Sequence, residues 1–177
     1  RCTSSQAGRD SAMAKKKQGG TPATEALAAA GVTFSVHEYA HDPAERHFGD
    51  ETIAVLGLDP ARVFKTLVVD VNPGGRPSLA VGVVPVAGTL DLKAIAAALG
   101  AKKAEMADPK AAERSSGYVV GGISPVGQRT KLPTVIDSSA LEFPTIFCSA
   151  GKRGLQLELA ASDLAAVTGA SFASIGR

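Results

Sequence analysis

At 177 residues, with 45% hydrophobic and 20% charged residues and a formal net charge of +2, the chain has the length and composition of an ordinary globular domain. So small a charge gives no global argument for nucleic acid, and any affinity for a polyanion has to come from a local site. No stretch approaches the roughly 18 consecutive apolar residues of a membrane span, and the two cysteines, Cys2 and Cys148, make neither a disulfide framework nor a metal-type pair, which fits a reducing cytoplasm.

Residues Arg1 to Ala12 mix Arg, Ser, Gly and Asp without periodicity and precede Met13 and the run Lys15-Lys16-Lys17. Met13 is expected to be the natural start, with 1–20 a disordered leader and 21–177 the folded unit. No hydrophobic region follows the lysines, which argues against a secretory signal; they read as a solvated tail or as an RNA or phosphate tether. Thr21 as N-cap, Pro22 at N1 and Gly31 at the end punctuate a short helix. Phe34 to Tyr39 reads as a strand and His41 to Gly49 as a loop, after which Asp50 is expected to cap a helix ending at Gly57.

The next element, Val63 to Val69, is an apolar strand containing a lysine. Alternation puts Lys65 on the face of Val63, Leu67 and Val69. An unpaired lysine is almost never fully buried, so either this face lines a wet pocket that takes an anionic ligand, or the strand is an edge carrying a lysine against aggregation. The strand alone leaves both readings open.

Asn72-Pro73-Gly74-Gly75 joins this strand to Leu79–Val86 as an antiparallel hairpin. Asp91 caps a helix through Leu99 that ends at Gly100, and Asp108-Pro109 opens another through Arg114, closed by Ser116-Gly117. Tyr118–Val120, Thr134–Ile136 and Thr145–Cys148 read as short strands. The turn Ala150 to Gly154 leads into Leu155-Gln156-Leu157-Glu158-Leu159, whose alternation sends the leucines to the core and Gln156 and Glu158 to the other face. A last helix starts near Ser162 and runs through Val167. This order predicts a single α+β domain with a curved, mixed, mostly antiparallel sheet, barrel-like, and flanking helices.

Few residues offer obvious chemistry. Gly121-Gly122-Ile123-Ser124-Pro125 can bring backbone amides close to a carbonyl or phosphate, or simply form a glycine bulge. Ser149 with Gly151-Lys152-Arg153-Gly154 makes either a second polar loop or an exposed hairpin turn. A P-loop is excluded, because Ile146 stands where Gly151-Lys152 would need the first glycine. His37, His41 and His47 match no zinc spacing, no Gly-x-Ser-x-Gly elbow occurs, and Cys148 in its apolar run reads as a small buried hydrophobe rather than a nucleophile. No protein nucleophile stands out.

Taken in order, His37-Glu38-Tyr39, His47-Phe48-Gly49-Asp50, Phe64-Lys65-Thr66-Leu67, Glu105-Met106-Ala107-Asp108, Ser116 to Pro125 and Gly151-Lys152-Arg153-Gly154-Leu155 resemble the YbaK family. These are Cys-tRNA(Pro) deacylases related to the editing insertion domain of bacterial prolyl-tRNA synthetases. The resemblance implies a cytoplasmic, trans-acting editing enzyme with a curved α+β fold and no metal or cofactor. Its substrate would be Cys-tRNA(Pro), with some activity on other cysteinyl-tRNAs such as Cys-tRNA(Cys), and its partner prolyl-tRNA synthetase in a transient complex. It puts the functional lysine on Lys65, the pocket tyrosine on Tyr39, the backbone donor on Gly121 and the loop serine on Ser149, with Thr66, Gly122 and Ser124 completing the substrate contacts. The family mechanism, in which the substrate thiol attacks its own ester and leaves as a thiolactone, would explain the missing nucleophile. One departure is Gln156, where the family commonly has aspartate; a neutral amide cannot anchor an amine by charge. The departure leaves two other readings: a non-catalytic module binding the tRNA end or the synthetase, or an editor of another amino acid such as alanine.

Overall fold

The computed structural model describes residues 20–177, so the leader, Cys2, Met13 and the lysine run lie outside the described residues. Helix α1 (Pro22–Ala29) begins as its punctuation predicts: Thr21 accepts from the Thr24 amide, the Thr24 hydroxyl oxygen accepts from the Thr21 amide, and Ala23 and Leu27 are buried. Strand β1 (Ser35–Glu38) leads to α2 (Phe48–Leu56). This helix starts two residues earlier than the expected cap Asp50, which lies in its first turn; His47 holds the N-cap position without a side-chain bond, and Gly57 ends the helix at φ +66.

Strands β2 (Phe64–Asp70) and β3 (Leu79–Pro85) form the expected antiparallel hairpin. Asp91 caps α3 (Leu92–Ala98) by accepting from the amides of Lys93 and Ala94. Asp108 caps α4 (Pro109–Ser116) by accepting from the amide of Ala111. Between these helices lies a two-residue strand, β4 (Glu105–Met106), that the sequence pattern does not announce.

Tyr118–Val120 is not a strand. Its backbone turns back on itself, with the Gly122 amide donating to the Val119 carbonyl, and the buried Tyr118 hydroxyl donates to the Val126 carbonyl at 2.7 Å. Strand β5 (Thr134–Asp137) follows, then a 3-10 turn over Ser138–Glu142, and then β6 (Ile146–Lys152) and β7 (Leu155–Leu159). The expected turn at Ala150–Gly154 is shorter, because β6 continues to Lys152 past an irregularity between Ser149 and Lys152. The last helix, α5 (Ala161–Thr168), has Ala160 rather than Ser162 at its N-cap and is followed by β8 (Ser171–Ala173).

The strands make two sheets rather than one. The smaller is antiparallel, in the order β1-β7-β6, and the larger runs β4-β2-β3-β5-β8, with β3–β5 and β5–β8 parallel. They do not close into a barrel, but they touch where Val63 bridges Phe147 and the Phe147 amide donates to the Arg62 carbonyl.

Alternation along the large sheet sends residues to two cores. Phe64, Val68, Val81, Val83 and Ile136 join Cys148 and Leu157 of the small sheet and Leu164 of α5, while Val69, Ala80, Val84 and Val135 pack with Ile95 of α3 and Ile175. Each fully buried Leu or Ile contributes about 1.5–3 kcal/mol. Among the described residues no helix is long and apolar enough to cross a membrane.

Candidate active site

One cleft is built on a strand edge that the fold leaves open. Val86 donates to the Val63 carbonyl and Val71 to the Ser78 carbonyl, so the odd-numbered residues of β2 bond to β3 while Phe64, Thr66 and Val68 turn their backbone groups to the other side. There, β4 pairs only with Val69 and Asp70, and Ala107 donates to the Val68 carbonyl. Continuing this register would set Pro109 against Thr66. Proline has no N–H to give, and the chain turns into α4 at that point, so the edge opens at Thr66.

Over this edge lies a cleft of about 370 Å³, walled by α2, by α4, by the loop at Gly121 and by the small sheet at Ser149 and Gln156. Among the described residues, Lys65 is the one ionisable side chain in its lining. It takes part in none of the ion pairs among the described residues, and no hydrogen bond holds it.

Gly121 needs to be glycine for two reasons. Its φ is +87, and a Cβ there would stand 2.7 Å from the Phe48 ring. That ring is fixed: the Arg153 guanidinium lies over it, 4.6 Å from the centroid, and also donates to the Val120 carbonyl. The Gly121 amide has no partner among the described residues. Ser149 faces Gln156 across the β6–β7 ladder, and its oxygen accepts from the Gly151 amide at 3.1 Å. Gln156 is 7% exposed, yet its Oε1 has no hydrogen bond; the same holds for the buried Oγ1 of Thr66.

Of the eight residues the sequence singles out, Lys65, Thr66, Gly121, Ser149 and Gln156 therefore converge on one cleft. Tyr39 stands behind it: its hydroxyl meets Thr52 Oγ1 at 2.7 Å, Thr52 lines the cleft, and Tyr39 itself lines a separate groove with His41 and Lys152. Burial raises the Tyr39 pKa, against the lowering effect of the Thr52 bond. Gly122 has its amide committed to Val119, and a Cβ on it would press on the backbone of Lys152 and Arg153. Ser124 is fully buried, and its oxygen accepts from the Val126 amide. The last two residues thus hold the loop rather than face the cleft.

Phe48 and Thr52 were not assigned roles by the sequence. Their i, i+4 spacing on one helix face is the signal, and Thr52 also donates to the Phe48 carbonyl. The three histidines do not converge: His37 faces Glu158, His41 faces Glu51 and His47 faces Glu45. Cys148 is fully buried and its thiol is pushed up to about 12 by desolvation, so it offers no thiolate at neutral pH.

Residues 45–167 match the model of the aminoacyl-tRNA editing domain. A relative from Enterococcus faecalis, provisionally named the Cys-tRNA(Pro)/Cys-tRNA(Cys) deacylase EbsC, is 39% identical over 165 residues, spanning 92% of this chain and 98% of that protein. A crystal structure described provisionally as a trans-editing enzyme for prolyl tRNA synthetase superposes with a TM-score of 0.75 at 25% identity, covering 88% of this chain and 95% of the other. A second crystal structure, of a hypothetical protein, shares the fold with a TM-score of 0.77 at 23% identity over 89% of this chain and the whole of the other.

Proposed function

The chain belongs to the aminoacyl-tRNA editing domain family, the YbaK family its motifs resemble, and on that premise we propose that it clears cysteine from mischarged tRNA(Pro), with Cys-tRNA(Cys) as a second substrate. The observation that carries this reading is an unpaired lysine in an otherwise uncharged cleft beside an open strand edge. Such a cleft suits a small aminoacyl group attached to an anionic chain. Lys65 holds the tRNA terminus by charge, and the aminoacyl end lies toward Gln156 and Thr66.

No side chain in the cleft lining is a ready nucleophile. Lys65 is reserved for the tRNA end, the Ser149 oxygen is engaged by Gly151, and Cys148 is buried and protonated. The attacking group is the substrate's own thiol. Its sulfur bonds to the ester carbonyl carbon, the bond from that carbon to the ribose oxygen breaks, and the thiol proton ends on the departing ribose hydroxyl, releasing a cyclic thiolactone. The protein's contribution is orientation, which for a well-aligned intramolecular attack is on the order of several kcal/mol of barrier. The free Gly121 amide donates to the oxygen that becomes negative during attack.

A transient complex with prolyl-tRNA synthetase goes with this reading, because a chain of net charge +2 has little affinity of its own for tRNA. A cytoplasmic location goes with the substrate.

The test is a deacylation panel: the purified chain against Cys-tRNA(Pro), Cys-tRNA(Cys), Ala-tRNA(Pro) and Pro-tRNA(Pro), with the products trapped by hydroxylamine. The expected result is loss of the cysteinyl esters with a trapped thiolactone derivative and an untouched Pro-tRNA(Pro). Binding without hydrolysis would make the chain a tRNA-end-binding module, and preferred attack on Ala-tRNA(Pro) would make it an alanine editor.

A further inference from the structure

The cleft contains acceptors but no counter-charge for a cation. Gln156 is more than nine-tenths buried with an unpartnered Oε1, and the buried Thr66 Oγ1 beside the open edge also lacks a partner. Natural proteins seldom leave buried polar atoms unsatisfied, and two in one cleft point to a ligand that supplies hydrogens. An aminoacyl ester supplies them from its α-amino group.

The charge state of that group follows from its surroundings. No carboxylate lines the cleft. Of those on the elements around it, Glu51 is taken by His41, Glu158 by Arg62, Thr145 and His37, Glu105 by Lys103 and Asp108 by the Ala111 amide, while Asp50 is exposed and Glu113 half-buried. His37 pairs with Gln156 across β1–β7 but points its Nε2 at Glu158. Tyr39 is held on Thr52, and Arg153 lies over Phe48. From β2, Lys65 adds a positive charge.

An ammonium entering here would be desolvated in a lining that holds a lysine and no carboxylate. Deprotonating an α-amine, whose usual pKa is near 7.7–8.0, reduces the bindable fraction at neutral pH only about tenfold. Resting on the deacylase reading above, we propose that the cleft takes the aminoacyl group with its α-amine uncharged, held by Gln156 Oε1 and Thr66 Oγ1. Gln156 thereby sets the protonation state of the substrate.

The test uses the full chain and 3′-cysteinylamino-3′-deoxyadenosine, whose amide linkage cannot be deacylated. Calorimetry from about pH 6 to about pH 9 should show wild-type Kd tightening about fifty- to ninetyfold as the ligand amine loses its proton. Gln156→Glu should reverse the trend, binding best where the amine is charged. A wild-type Kd that is flat, tightest at low pH or immeasurable throughout would overturn the proposal, as would an unchanged trend in Gln156→Glu.

Should Gln156→Glu fail to fold, ¹⁵N NMR of the labelled amine on the wild-type protein decides the matter: a neutral-amine shift at neutral pH supports the proposal and an ammonium shift overturns it. The probe does not depend on turnover, so the two readings fail separately. Hydrolysis of Cys-tRNA(Pro) with flat binding sinks only this inference; pH-linked binding without hydrolysis sinks only the deacylase reading.

Discussion

Gln156 and Glu158 stand on the same face of β7, one at the cleft and the other just past it, and they have opposite surroundings. Glu158 accepts from Thr145 at 2.6 Å, lies 3.1 Å from Arg62 and meets His37 at 2.9 Å. Arg62 in turn donates to the Thr145 carbonyl and lies over the Phe147 ring. This cluster ties β1, β6 and β7 to the segment entering β2, and both Glu158 oxygens are engaged in it. Gln156 is more buried, and its Oε1 has no partner among the described residues. A satisfied polar cluster reports on the fold; an unsatisfied one in a cleft reports on what the cleft binds. The same contrast separates Ser124, bonded and buried away from the cleft, from Thr66, unbonded inside it.

Substitutions can break this contrast. The largest effect is expected at Gly121→Ala, where the new Cβ meets the fixed Phe48 ring and a left-handed backbone that disfavours L side chains by about 1–2 kcal/mol. Deacylation should fall about a hundredfold, equivalent to about 2.7 kcal/mol of barrier, with a lowered urea midpoint.

Next comes Glu158→Ala, which strips Arg62 and Thr145 of their shared acceptor. It should cost about 1–2 kcal/mol of stability, since the pair is only half sheltered, while kcat/KM stays within about threefold. Gln156→Leu should do the reverse. Removing an unsatisfied buried amide leaves stability unchanged or higher by up to about 1 kcal/mol, while kcat/KM drops about tenfold. A stability loss at Gln156 as large as that at Glu158 would erase the distinction.

The smallest effect is on acid stability. The Thr145 hydrogen bond, aided by His37 and Arg62, holds the Glu158 carboxyl below its ordinary value of 4.5. Its stabilisation is therefore complete above that value and lost as pH falls through the lowered folded value. Urea midpoints of wild type and Glu158→Gln should keep a constant gap at higher pH and converge only below about 4.5.

How far such a contrast can be read in advance depends on how local its causes are. Thr21-Pro22, Asp91 and Asp108-Pro109 start their helices as expected because capping needs only neighbours. Tyr118–Val120 has the β-branched and aromatic look of a strand, but Tyr118 is drawn into the core by Val126 and the chain turns back at Gly122. The parallel pairing of β3, β5 and β8, and the separation into two sheets, rest on contacts far apart in sequence.

Strand alternation does place Lys65 and Gln156 on their observed faces. The strand alone leaves Lys65 open between an edge residue and a pocket cation, and the fold shows why: β2 is an interior strand whose edge opens near Lys65, where the chain has left β4 and turns into α4 at Pro109, so the pocket lies at an edge. The missing partner of Gln156 depends on β1, β2, β6 and α2 together, and no sequence window contains it.

The central claim is that an unpaired Lys65 holds the tRNA end while the substrate attacks itself. It is tested most directly by single-turnover deacylation of Cys-tRNA(Pro) with Lys65→Ala beside the wild type, each checked for an unchanged urea midpoint. A loss of about a hundredfold in rate without loss of stability is the expected result. Equal rates in the two proteins would contradict it.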